Sequence, residues 1–164
     1  MGGAEAPRTG LLAAAARGLA IAGGLLLVAA MAVTVASVLR ASFGRPILGD
    51  TEIVEMLVGV AIAWFMPWCQ VRGAHVRLDV FTARAPRAVR TALDAAAGLL
   101  VALVVSVLAW RLVQGGLDAH DRARETMFLQ IPFWWGYGAA ALGMLLWAAA
   151  AIEGALAGFR RPSP

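Results

Sequence analysis

Four long stretches of this sequence carry almost no charge, and that pattern constrains the fold more than any motif. The first, residues 18–39, places 22 uncharged positions between Arg17 and Arg40. As a helix it measures about 33 Å, against a bilayer hydrocarbon core of about 30 Å. Residues 56–71 and 95–110 supply 16 uncharged positions each, and the last run covers 131–152. Inside lipid every backbone N–H and C=O must be satisfied by the chain itself, which leaves helices for runs of this length. The first run exceeds the core of a signal peptide, about 7–15 residues, and three more follow, so it reads as a retained helix. The predicted fold class is therefore all-α: an integral membrane protein with four transmembrane helices. They fall at about 18–39, 51–71, 86–113 and 131–153, in a single membrane domain over 1–164.

Composition narrows the function. With 61% hydrophobic and 15% charged residues, the chain is neither disordered nor an ordinary soluble domain. The net charge of +4 raises the question of nucleic acid. All 14 basic residues are arginines, however, and they sit at the ends of the apolar runs rather than in a stripe. That distribution orients a chain in a bilayer, and no nucleic-acid partner is expected. Four crossings put both termini on one side of the membrane. That side holds nine arginines (8, 17, 72, 77, 84, 87, 90, 160 and 161), and the other holds five (40, 45, 111, 122 and 124). The positive-inside rule then places both termini and the 72–90 loop in the cytoplasm.

Local signals refine the boundaries. Asp50 and Thr51 are good N-cap residues for the second helix, and Pro67 frees a backbone carbonyl one turn earlier in it. Pro86 suits the first position of the third helix. Residues 114–130 read as a polar loop, and Trp134, Trp135 and Tyr137 as an interfacial aromatic belt. Gly136, Ala140 and Gly143 share a helix face, and small residues at that spacing let helices approach closely. The lone Cys69 has no disulfide or redox partner and reads as a buried packing residue. His75 and His120 lie 45 residues apart and outside the helix centres, which excludes an intramembrane haem. Asp118, His120, Asp121 and Glu125 resemble a metal cluster, but Arg122 and Arg124 between them oppose a cation. No catalytic, metal or substrate-binding residue and no cofactor is expected.

One set of residues carries a family resemblance. Glu52 and Glu55 open the second helix, and Gly73, His75, Val76, Leu78 and Asp79 follow it in the pattern G-x-H-V-x-L-D. Glu125-Thr126 then precede Ile131-Pro132 and the aromatic start of the fourth helix. In these motifs and in layout, over nearly its whole length, the chain resembles the small membrane subunit of tripartite ATP-independent periplasmic (TRAP) transporters, the DctQ-like family. The resemblance implies a scaffold in the bacterial inner membrane rather than an enzyme. In such systems a soluble periplasmic binding protein captures an organic acid, often a carboxylate. A large membrane permease subunit moves it inward with sodium, and the small subunit braces the large one without holding the main substrate or ion sites. The implied partners are the large permease subunit, the binding protein (transiently) and the lipid bilayer.

The candidate structural or partner-contact residues are Glu52, Glu55, His75, Arg77, Asp79 and Glu125. His75 and Asp79 form an i,i+4 pair if their segment is helical; if it is extended, His75, Arg77 and Asp79 share one face. Glu55 has three readings: a helix N-terminal or interfacial acid favoured by the dipole, the partner of a basic group on another chain, or a proton- or ion-coupling carboxylate, which is expected nearer the bilayer midplane than one turn from its edge. A different class, a self-sufficient small four-helix transporter acting as an oligomer, needs an acid near the middle of a helix. The first helix has no charge between Arg17 and Arg40. The 16 uncharged residues of the second and third helices reach only about 24 Å; snorkelling or local bilayer thinning would absorb the shortfall, and so would a partner that shields their charged ends, which is the preferred reading.

Overall fold

The computed structural model describes residues 10–45, 47–72 and 87–160, with side chains described over 10–45, 47–72 and 96–154. It holds four helices: α1 (Gly10–Ser42), α2 (Asp50–Val71), α3 (Arg87–Asp121) and α4 (Phe133–Arg160). Each is long and apolar enough to cross a membrane, over Gly10–Ser42, Asp50–Val71, Ala96–Asp121 and Phe133–Gly154. Among the described residues the only strand-like feature is an isolated bridge between Glu125 and Pro132. The chain is thus all-α, with four helices able to span a bilayer.

The helices overrun their uncharged runs. At 33 and 35 residues, α1 and α3 measure about 50 Å, well beyond a hydrocarbon core of about 30 Å. Charge marks where lipid ends, but it does not stop a helix, and the alanines before Arg17 are strong helix formers. The expected loop over 114–130 is helical as far as Asp121. Gly115 and Gly116, the apparent breakers, are packing residues: a Cβ on either would come within 3.2 and 3.1 Å of the Tyr137 side chain. Tyr137 therefore serves the α3–α4 seam rather than an interfacial belt, whereas Trp134 and Trp135 are exposed. The start of α4 moves the other way, from Ile131 to Phe133. Ile131 accepts the Thr126 amide on its carbonyl and donates its own amide to the Thr126 hydroxyl, and that pairing holds it out of the helix.

The N-cap of α2 also differs from expectation. It is Gly49, at φ 86°, with no side-chain cap. Its carbonyl accepts the Glu52 and Ile53 amides. Asp50 stands one position inside, where one carboxylate oxygen accepts the Thr51 amide at 2.8 Å and the other accepts the Ser37 hydroxyl of α1. Pro86, proposed as the first position of α3, lies outside the described residues.

The helices lie side by side in the order α1–α2–α4–α3. α1 packs on α2, α2 on α4 and α4 on α3; α1 meets α4 only slightly, and α2 and α3 scarcely touch. The row does not close into a bundle. Its seams are built from small residues: Ala16, Gly23, Ala30 and Ser37 of α1 are buried at intervals of seven, a spacing that keeps one seam facing a neighbour. Opposite or beyond them, Ala61, Ala63, Ala102, Ala109, Ala141 and Ala148 are buried, while Leu25, Met31, Val35, Leu99, Leu103 and Leu142 face outward. Lipid is as apolar as leucine, so these helices associate through close packing and hydrogen bonds rather than by hiding large side chains.

The α2–α4 seam is the tightest. Pro67, fully buried, has no N–H to offer the Ala63 carbonyl. That carbonyl lies against Gly143: a Cβ there would overlap its oxygen and sit 2.7 Å from its carbon and 2.8 Å from Trp64 Cδ1. Two indole hydrogen bonds flank this contact, Trp64 Nε1 to the Ala139 carbonyl at 2.7 Å and Trp147 Nε1 to Gln70 Oε1 at 3.2 Å. Cys69, expected to be buried, is exposed, because α2 sits inside an open row and turns one face away from both neighbours.

Candidate functional site

The polar residues that matter converge where α2 begins. Glu52, in the first turn, spreads its carboxylate over the α3–α4 connection: Oε1 accepts the Phe128 amide at 2.9 Å and Oε2 the Leu129 amide at 3.1 Å. An acid in a first helical turn is favoured by the unpaired amides there. Here it also satisfies two amides of a turn that has no ladder of its own.

The connection is a small folded unit. Thr126, 5% exposed, donates its amide to the Ile131 carbonyl and accepts the Ile131 amide on its hydroxyl, both at 3.0 Å. The Phe133 amide returns to the Arg124 carbonyl. Gly49 closes the unit from below: a Cβ would sit 2.7 Å from Leu129 Cγ, and φ is positive, so a glycine is required on both counts. The turn thereby holds Met127 and Phe128 outward as exposed apolar side chains.

One turn further along α2, Glu55 is exposed and has no hydrogen-bond or ion-pair partner among the described residues. It lines an open groove of about 470 Å³ with Glu52, Met56 and Gly59 on one wall and Leu112 of α3 on the other. Gly136, Tyr137 and Ala140 of α4 form the floor, and Thr126 and Met127 close one end. The groove exists because α2 and α3 both pack on α4 and not on each other.

The sequence-derived candidates separate accordingly. Glu52 is a clasp within the chain, and Glu55 faces the groove. Glu125 is exposed and contributes its backbone, through the bridge to Pro132. His75, Arg77 and Asp79 lie outside the described residues. Asp118 pairs with Arg122 at 2.7 Å, and His120 stacks edge-on against Trp134 at 5.5 Å. Among the described residues no three His, Cys, Asp or Glu side chains are grouped so as to hold a metal. Gly143 meets α2 closely, as its small-residue face leads one to expect, whereas the Ser37 hydroxyl and the Trp64 indole carry no local signal of the partners they find in Asp50 and Ala139.

A row of spanning helices, joined by alanine and glycine seams and clasped at one end by a carboxylate, defines a multi-pass membrane protein. The model of the DctQ component of tripartite ATP-independent periplasmic transporters matches residues 29–161, and the chain belongs to that family. No curated protein and no solved structure matches it. The family is the small permease component of these transporters; it works with a large permease and a periplasmic binding protein, and it is a transporter component rather than a family of enzymes.

Proposed function

We propose that this chain is the scaffold subunit of a sodium-coupled importer of an organic acid such as a carboxylate. It braces a large membrane permease subunit in the bacterial inner membrane, with both termini and the 72–90 loop cytoplasmic, and a periplasmic binding protein docks transiently. The observation that carries this is the unclosed row: α2 and α3 leave a groove between them, and Glu55 stands in it with no partner among the described residues. A self-contained four-helix unit would close on itself and bury such a carboxylate against its own chain.

The nine-to-five arginine asymmetry supports the orientation. On that orientation the Glu52-clasped turn faces the periplasm. The chain's role is then mechanical: its long helices α1 and α3 give the complex a wide footing in lipid, while transport sites reside in the large subunit. The test is sodium-driven uptake in vesicles reconstituted with the large subunit and binding protein, with and without this chain. Uptake that requires all three supports the proposal. Full uptake without this chain refutes the scaffold requirement, and substrate movement by this chain alone would replace the proposal with a self-sufficient oligomeric transporter.

A further inference from the structure

We infer that the exposed face of α2 running from Glu55 through Gly59 and Ile62 to Cys69 is the seat of one transmembrane helix of the large permease subunit, and that this helix presents an arginine or lysine to Glu55. The inference rests on the scaffold function proposed above and assigns the contact surface.

Four observations meet on this face. Glu55, Gly59, Ile62 and Cys69 are all exposed, and at 100° per residue they fall within an arc of about 80° on α2. The opposite face of α2 is already occupied: Val60, Ala61, Ala63 and Pro67 are buried against its neighbours. The stripe is about 21 Å long, which covers two-thirds of the hydrocarbon core and suits a helix crossing alongside.

Glu55 supplies the charge argument. It lies about 7.5 Å along α2 from Asp50 and has no partner among the described residues, although Glu52 one turn earlier is fully engaged. Apart from Glu52 and Thr126, which are already engaged with the turn, the walls around it are apolar, so acyl chains covering the groove would leave a bare carboxylate. A cationic side chain from a neighbouring helix satisfies it, and charges in membrane segments pair in this way.

Gly59 supplies the steric argument. No described residue lies within 4 Å of where its Cβ would be, so no contact among the described residues calls for a glycine in mid-helix, where glycine is unfavourable. A partner backbone approaching at that point does call for one. Gly18 and Gly24 of α1 are equally open, but no carboxylate accompanies them, which is why α2 and not α1 is assigned. Finally, the groove between α2 and α3 is floored by α4; a partner helix there completes a four-helix cluster that this chain leaves unfinished.

The experiment uses the purified complex of this chain with its large subunit in nanodiscs. A photoactivatable crosslinker is attached to Cys69, the chain's single cysteine, or to Ile62→Cys or Val28→Cys in a Cys69→Ser background. Adducts from 62 and 69 mapping to one helix of the large subunit, at least fivefold more abundant than from position 28, are expected. Glu55→Gln should weaken the complex about tenfold, and Glu55→Arg should be rescued by replacing the mapped helix's basic residue with glutamate. Circular dichroism checks that both variants retain wild-type helix content. If the subunits co-purify but crosslinks arise from position 28 instead, or if 62 and 69 label only lipid, the assignment is overturned while the scaffold function stands. Wild-type-like assembly of Glu55→Arg would likewise overturn it. Failure of the wild-type chains to co-purify would remove the scaffold function and the assignment with it.

Discussion

Replacing Gly143 by alanine isolates the seam between α2 and α4. The new Cβ would overlap the Ala63 carbonyl oxygen and lie 2.7 Å from its carbon, whereas carbon atoms meet comfortably at about 3.5–4.0 Å. The obstacle is backbone, held by the buried Pro67, and cannot rotate away. α4 must therefore retreat by roughly 0.8 Å, and a gap of that size forfeits about a quarter to a half of each dispersion contact along the seam. The Trp64 Nε1 hydrogen bond to Ala139, now 2.7 Å, would stretch to about 3.5 Å and leave the bonding range. Overpacking costs about 1–3 kcal/mol, and an interhelical hydrogen bond in a bilayer about 0.6 kcal/mol more. The gain from replacing a helical glycine by alanine is at most about 1 kcal/mol. The expected net loss is about 1–3 kcal/mol, measured by reversible SDS unfolding in mixed micelles followed by tryptophan fluorescence. Gly138→Ala is the control, since nothing lies within 4 Å of a Cβ there, and it should be neutral or slightly stabilising. If Gly143→Ala proved as stable as Gly138→Ala, the close approach of α2 and α4 would be wrong.

Three further outcomes follow from the same geometry. Glu52→Ala should speed hydrogen exchange at the Phe128 and Leu129 amides while leaving α3 and α4 protected; unchanged exchange at those two amides would mean that the clasp does not form. Trp64→Phe should cost about 0.6–1.7 kcal/mol, the range for interhelical hydrogen bonds in membranes, in the same unfolding assay, with no change in helix content. Thr126→Val keeps the volume but strands the Ile131 amide beside a buried side chain, for an expected loss of about 1–3 kcal/mol, largely restored by Thr126→Ser. Equal stability of the valine and serine variants would show that water satisfies that amide.

Much of the architecture was legible in the chain. The number of helices followed from uncharged runs of helical length, because lipid leaves a backbone no other way to satisfy itself. The acids at 52 and 55 stood out for the same reason, since a carboxylate beside an apolar run demands an explanation. Their roles were not legible. Glu52 finds its partners 76 and 77 residues away, and nothing local distinguishes it from Glu55, one turn on, which has none among the described residues. Asp50 read as a cap, yet its carboxylate serves Ser37 of α1, and the capping position went to Gly49, where a positive φ and the nearness of Leu129 both exclude a Cβ.

The sequence by itself determined that the chain is helical, crosses a membrane and belongs beside a family of transporter subunits. The tertiary structure decided the order α1–α2–α4–α3, the open groove and the side on which Cys69 is exposed. The physical reason is the solvent. In water, hydrophobic periodicity reports which face of a helix is buried; in lipid, both faces are apolar and that signal vanishes. The faces differ only in size, as the buried series Ala16, Gly23, Ala30 and Ser37 shows, and which small face meets which is settled only when whole helices pack.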